Sequence, residues 1–199
     1  PTTLSNYVVS PKAITATVTA ADKVYDGSNV ATMVASSADV VKGDVVVVQG
    51  VTGTFASKNV ARDSAGNVVA QTVTASGTSA GLGGADGANY TLSNSSSIAS
   101  TTAKITPKDL IVSGITAADK VYDGSTTAAI SSTNAALAGV VSGDSVSVST
   151  QTAVGNFASK NVAFDGGGAV TSQAVQVSGL SLTGGDAGNY TVTDRSGAA

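Results

Sequence analysis

Thr19-Ala20-Ala21-Asp22-Lys23-Val24-Tyr25-Asp26-Gly27-Ser28 recurs residue for residue as Thr116 to Ser125. Farther along, Phe55-Ala56-Ser57-Lys58-Asn59-Val60-Ala61 recurs as Phe157 to Ala163. Asp86, Asn89 and Tyr90 return as Asp186, Asn189 and Tyr190. The displacement drifts from 97 to 102 and back to 100, so small insertions and deletions separate the blocks, as surface loops tolerate. Identical runs of ten and seven residues in one order establish a tandem repeat. Each copy is somewhat under about one hundred residues, long enough to bury a core without stacked neighbours. Residues 11–106 read as the first copy and 107–199 as the second. Residues 1–10 read as a linker or the tail of a preceding copy, with Asn6-Tyr7 echoing Asn89-Tyr90. The chain reads as an excerpt from something longer.

The composition points to β structure. There is no Trp or Glu, there are 23 Gly, and Ser, Thr, Val and Ala abound. Strong helix formers are scarce beside strand and turn formers. No window holds a 3.6-residue apolar period, whereas Ile14-Thr15-Ala16-Thr17-Val18-Thr19 and Ala174-Val175-Gln176-Val177-Ser178 alternate with period two. The expected class is all-β.

Pro11-Lys12 and Pro107-Lys108 open the two copies, and proline suits a strand entrance because it gives no N–H to a ladder. Thr101-Thr102-Ala103-Lys104-Ile105-Thr106 reads as the last strand of the first copy, running on into Leu110-Ile111-Val112. A junction this short is expected to restrict bending. Asp26-Gly27 and Asp123-Gly124 are turn signals, because Gly takes positive φ cheaply and Asp bonds back to the backbone. Gly43-Asp44 and Gly143-Asp144 mark a second turn. About seven short strands per copy, with turns every eight to twelve residues, predict two tandem β-sandwiches.

Six of the eight aromatic residues form equivalent pairs: Tyr25 with Tyr122, Phe55 with Phe157, Tyr90 with Tyr190. Such scarce residues in matched places are expected to anchor each core, with a ligand-stacking platform as the alternative. Asp186-Ala187-Gly188-Asn189-Tyr190 has the Asp-x-Gly-x-Tyr form of a tyrosine corner, where a Tyr bonds back to upstream backbone in immunoglobulin-like sandwiches. Asp86-Gly87-Ala88-Asn89-Tyr90 keeps the Asp and Tyr. Leu92 and Val192 stand where antibody domains carry Cys, and the usual core Trp is missing. The pattern favours an immunoglobulin-like sandwich, with a β-grasp or other compact β domain as the alternative.

The residues offer little chemistry. Without His or Cys, Ser-His-Asp and Cys-His catalysis is excluded, and transition metals lose their usual ligands. Ten of the 13 Asp fall in equivalent pairs, 22/119, 26/123, 44/144, 63/165 and 86/186, but they flank turns, where Asp serves as a backbone acceptor. No enzyme is expected. Calcium is the one cofactor left open, at the Asp63-Ser64-Ala65-Gly66-Asn67 and Asp165-Gly166-Gly167-Gly168 loops, although neither has EF-hand spacing. Lys23 and Lys120, and Lys58 and Lys160 beside Asn59 and Asn161, raise the idea of an isopeptide crosslink, which intact mass would test. A net charge of −3 with 12% charged residues leaves no basic patch for nucleic acid, and no apolar run is long enough to span a membrane.

The blocks Lys-Val-Tyr-Asp-Gly-Ser, Phe-Ala-Ser-Lys-Asn-Val, Gly-Asp-Ala-Gly-Asn-Tyr-Thr and Ile-Thr-Pro-Lys, in that order, resemble the YDG repeat of filamentous-haemagglutinin-like adhesins exported by two-partner secretion. The resemblance spans nearly the whole chain, twice. It implies an extracellular, bacterial cell-surface setting and an array of similar units, with no catalytic residues to carry over. The second copy lacks the Ile-Thr-Pro-Lys exit of the first, so its last strand is expected to be truncated or supplied by a following repeat. The structural signature is Tyr25, Asp26, Gly27, Phe55, Asp86 and Tyr90, with Tyr122, Asp123, Gly124, Phe157, Asp186 and Tyr190. The expected role is a stalk or spacer, partnered by neighbouring repeats. The alternatives are a module for a surface glycan or matrix polymer, and homotypic cell-cell contact.

Overall fold

Short Val- and Thr-rich segments, many of them ended by glycine or a turn residue, build the described chain. The computed structural model describes residues 6–193, whose regular elements are β-strands apart from the 3-10 turns Gly87–Asn89 and Ala187–Asn189. Two compact units divide the chain, Pro1–Thr106 and Pro107–Ala199. No described helix is long and apolar enough to cross a membrane.

Where about seven strands per copy were expected, the described residues of each unit show twelve shorter segments, because single extended runs are broken and shared between sheets. In the first unit Lys12–Ile14 pairs parallel with Tyr90–Leu92, while Thr17–Ala20 of the same run pairs antiparallel with Met33–Ser36. Val30–Ala31, one residue before that partner, pairs instead with Thr52–Phe55. Val47–Gln49 pairs with Gly81–Gly83, and Thr52–Phe55 continues onto Gln71–Ser76. Single runs thus leave one sheet and join another. At the break between Ile14 and Thr17, Asn94 takes the place of a strand. Its Oδ1 accepts the Ala16 N–H at 2.8 Å and its Nδ2 donates to Ala16 O at 2.9 Å.

The run Thr101–Thr106 closes the first unit and is shared in the same way. Thr101–Ala103 pairs antiparallel with Gln71–Val73, and Ile105–Thr106 pairs parallel with Lys23–Val24. This makes a four-stranded sheet of Thr101–Ala103, Gln71–Ser76, Thr52–Phe55 and Val30–Ala31. Ile14, Tyr25, Phe55, Val73, Tyr90, Ala103 and Ile105 are buried in this unit, Val73 and Ile105 completely. A cluster of Ala16, Val48 and Ile98, ringed by Val18, Ala35, Ala75 and Leu82, draws apolar faces from several sheets together.

The second unit repeats the scheme. Lys108–Ser113 pairs parallel with Tyr190–Val192 and antiparallel with Ala136–Ala138. Val154–Phe157 lies between Thr127–Ala128 and Val175–Ser178. That sheet has three strands instead of four, because no described residue takes the place of Thr101–Ala103.

Candidate functional site

The Tyr-Asp-Gly turn is organised by the lysine two residues before the tyrosine. Asp26 Oδ1 accepts the Ser28 N–H at 2.8 Å, and Gly27, at φ 81°, supplies the left-handed step the turn needs. The Lys23 ammonium then donates to Asp26 Oδ1 at 2.8 Å, to Ser28 O at 2.9 Å and to Ser28 Oγ at 3.0 Å. It sits 5.7 Å from the centre of the Phe55 ring, a cation–π contact that ties the turn to the second aromatic block. Lys120, Asp123, Ser125 and Phe157 reproduce the knot, with Gly124 at φ 79° and Nζ 5.6 Å from the ring centre. Burial alone would raise the Asp26 carboxyl, but the bonds from Lys23 and Ser28 hold it below the usual carboxylate range. The Lys120 ammonium, with the Ser125 N–H and hydroxyl, holds Asp123 down at about 2.

Tyr90 forms a long-range clasp. Its hydroxyl accepts the Val41 N–H at 3.0 Å and donates to Asp44 Oδ2 at 2.6 Å, pinning the Gly43-Asp44 turn. Asp86 Oδ2 accepts the Val45 N–H at 2.8 Å, so the Asp and Tyr of one segment grip both sides of the same turn. Tyr190 repeats this with Val141 at 2.9 Å and Asp144 at 2.6 Å, and Asp186 with Ser145 at 2.9 Å. The Tyr does bond back to upstream backbone as expected, but at Val41, 49 residues away, whereas a tyrosine corner reaches only a few residues upstream. Beside the clasp, Gly84 and Gly184 have φ of 92° and 116°, and a Cβ there would collide with the carbonyl oxygens of Val45 and Ser145. Hydrogen bonding to the Asp44 carboxylate, with burial, raises the Tyr90 hydroxyl. Burial first, then the Asp144 bond, pushes Tyr190 up to about 12.

A third recurring contact was missed by the sequence reading. Gln71 Oε1 accepts the Ser57 N–H at 3.1 Å and its Nε2 donates to Asn59 O at 2.6 Å, clamping the polar loop after Phe55. Gln173 does the same with Ser159 and Asn161 at 3.1 and 2.7 Å. The available signal was that Gln173 follows Gln71 at the same displacement as the Phe-Ala-Ser-Lys-Asn-Val block.

The two loops considered for calcium spend their carboxylates on their own backbone. Asp63 Oδ1 accepts the N–H groups of Ala65 and Asn67, and Oδ2 accepts the Asn67 side chain, which with other loop N–H groups lowers its carboxyl. Asp165 Oδ1 accepts from Ala169 and Gly167, again lowering the group. Among the described residues no three His, Cys, Asp or Glu side chains gather around a common point.

At the Tyr-Asp-Gly turn the two copies part. Tyr25 is 1% exposed and Phe55 1%, whereas Tyr122 is 57% exposed and Phe157 only half-buried. Reading Tyr122 as a core anchor is therefore corrected, and the reason lies outside its own repeat block. In the first unit Thr101–Thr106 covers the turn: Lys23 N–H donates to Lys104 O at 3.0 Å and Tyr25 N–H to Thr106 O at 2.8 Å. The second unit shows an open groove of about 450 Å³ in that place, lined by Asp119, Lys120, Tyr122, Phe157, Val170 and Gln173 among others. Val121, Phe164 and Val170 are exposed beside it.

A model of the YDG domain matches residues 10–99 and again residues 106–197. The chain belongs to the YDG-domain family. No curated protein and no solved structure matches it. Both YDG domains contain the Lys-centred knot, the tyrosine clasp and the glutamine clamp. The first match ends at residue 99, ahead of the strand run Thr101–Thr106 that completes the fold around Tyr25.

Proposed function

We propose that these tandem YDG domains serve as a stalk or spacer of an exported bacterial surface adhesin, carrying a binding region away from the cell. One observation supports this reading above the others: the residues that recur between the copies are spent on internal bonds. Lys23, Asp26, Asp44, Gln71, Asp86 and Tyr90 each bond within their own domain, as do their counterparts in the second copy. Side chains committed in this way stabilise a bead and leave little for a substrate. Charged groups also pair with local turns, which suits a surface exposed to solvent on all sides.

A spacer acts through length and folding, not through its particular surface. The test is to display a known binding domain on cells behind these two YDG domains, behind one, and behind two unrelated β domains of equal size. Adhesion that depends on spacer length but not on which β domains supply it is the expected result. Adhesion that disappears with the unrelated domains, or persists with the YDG pair and no binding domain, overturns the proposal.

A further inference from the structure

The two copies of one sequence form a natural comparison, because the same turn is covered in one domain and bare in the other. What covers it in the first domain is on view. Thr101–Ala103 adds to the free edge of Gln71–Val73, and Ile105–Thr106 adds to Lys23–Val24. Ala103 and Ile105 turn inward and are 4% and 0% exposed. The Lys104 N–H donates to Asp22 Oδ1 at 2.6 Å, and the Thr106 hydroxyl to Lys23 O at 3.2 Å. The acceptor surface thus consists of two strand edges, an aspartate, and an apolar floor of Tyr25, Phe55 and Val73.

Every part of that acceptor recurs in the second domain. Asp119 and Lys120 occupy the places of Asp22 and Lys23, and Tyr122, Phe157 and Val175 those of Tyr25, Phe55 and Val73. Val175 pairs with Phe157 as Val73 pairs with Phe55. The outer edge of Val175–Ser178 has no strand beside it among the described residues, and Lys120 to Asp123 pair with none. Unpaired edges over an apolar floor favour the addition of an extended segment, whose backbone satisfies the ladder while alternate side chains fill the floor.

From this juxtaposition we infer that the groove at Tyr122 is a strand-acceptor site, and that its occupant is a YDG exit strand with the sequence pattern of Thr101–Thr106. The occupant presents small and branched apolar side chains at the Ala103 and Ile105 positions. It offers backbone carbonyls to the N–H groups of Lys120 and Tyr122, and an N–H to Asp119. A YDG domain is in this sense completed by a segment that lies beyond its own matched boundary. The inference stands on the two domains alone and does not depend on the spacer reading.

The test adds a synthetic peptide with the sequence of Ser100 to Lys108 to the 199-residue chain and follows amide and tyrosine ring signals by NMR. One peptide per chain is expected, with shifts confined to residues around 119–123 and 170–178. The Tyr122 ring becomes protected from solvent, and the second domain melts several degrees higher at saturating peptide, since a ligand of the folded state stabilises it by mass action. A peptide carrying Ile105→Asp is expected to bind at least tenfold more weakly. Tyr122→Ser in the chain is expected to lose the peptide while the Tyr190 signals stay native, because residue 122 is exposed in the free protein and its loss does not unfold the domain. No binding, binding indifferent to Ile105→Asp, or binding retained by Tyr122→Ser overturns the inference. So does an oligosaccharide panel that binds at Tyr122 where the peptide does not.

Discussion

Tyr25→Ala and Tyr122→Ala alter the same residue of the same ten-residue sequence, and their costs are expected to differ several-fold. Tyr25 is 1% exposed, so the substitution removes a fully buried aromatic ring and leaves a cavity in the core of the first domain. An aromatic side chain buries about 150–250 Å², and at about 25 cal/mol per Å² this corresponds to about 4–6 kcal/mol. Measured aromatic-to-alanine changes in cores fall at about 3–5 kcal/mol. Taking that range with a urea slope of about 1–3 kcal/mol/M, the midpoint of the first domain drops by between about 1 and 5 M. Tyr122 is 57% exposed and no described strand lies over it, so the same change there is expected to cost about 0.5 kcal/mol or less. Urea denaturation followed by resolved amide signals from each domain reads the two losses separately. Comparable losses at the two sites would refute the reasoning, because burial of this tyrosine would then be set inside the repeat block and not by Thr101–Thr106.

Three further outcomes follow from the contacts. Tyr190 has its hydroxyl raised to about 12, so its contribution to stability is complete below the ordinary value near 10 and is lost as pH rises through about 12; ultraviolet titration of the phenols should show its ionisation delayed, and a midpoint near 10 contradicts the clasp. Asp123 is held at about 2, so its contribution is complete above about 4 and fades as pH falls toward 2. Carboxyl NMR should show that late protonation, and Lys120→Met should move it back up. Gly84→Ala forces a Cβ into the left-handed region against the Val45 carbonyl, and calorimetry is expected to show a loss above about 1–2 kcal/mol in the first domain, whereas Gly66→Ala meets no atom and costs only its backbone strain.

Much of this protein was legible in residue order because it depends on local rules. The tandem copies and the β class follow from repetition, period-two alternation and a shortage of helix formers. The turn at Asp26-Gly27 forms from side-chain and backbone preferences within three residues, and it appears alike at Asp123-Gly124. Pairing of aromatic positions pointed to core anchors, and Tyr25, Phe55, Tyr90 and Tyr190 are buried, whereas Tyr122 is exposed and Phe157 half-buried. The roles of Lys23 and Gln71 were not read, since each bonds to several acceptors or donors whose geometry exists only in the folded turn and loop.

Tertiary structure alone decided the rest. Tyr90 finds its partners 46 to 49 residues upstream, a distance at which spacing carries no signal. The fate of Tyr25 and Tyr122 is decided farther away still, because Lys104 reaches back 82 residues to Asp22 to lay the closing strand over the first turn. Identical decapeptides therefore end in different environments. Turn geometry is a property of the few residues that make it, whereas burial belongs to whatever segment arrives to cover them.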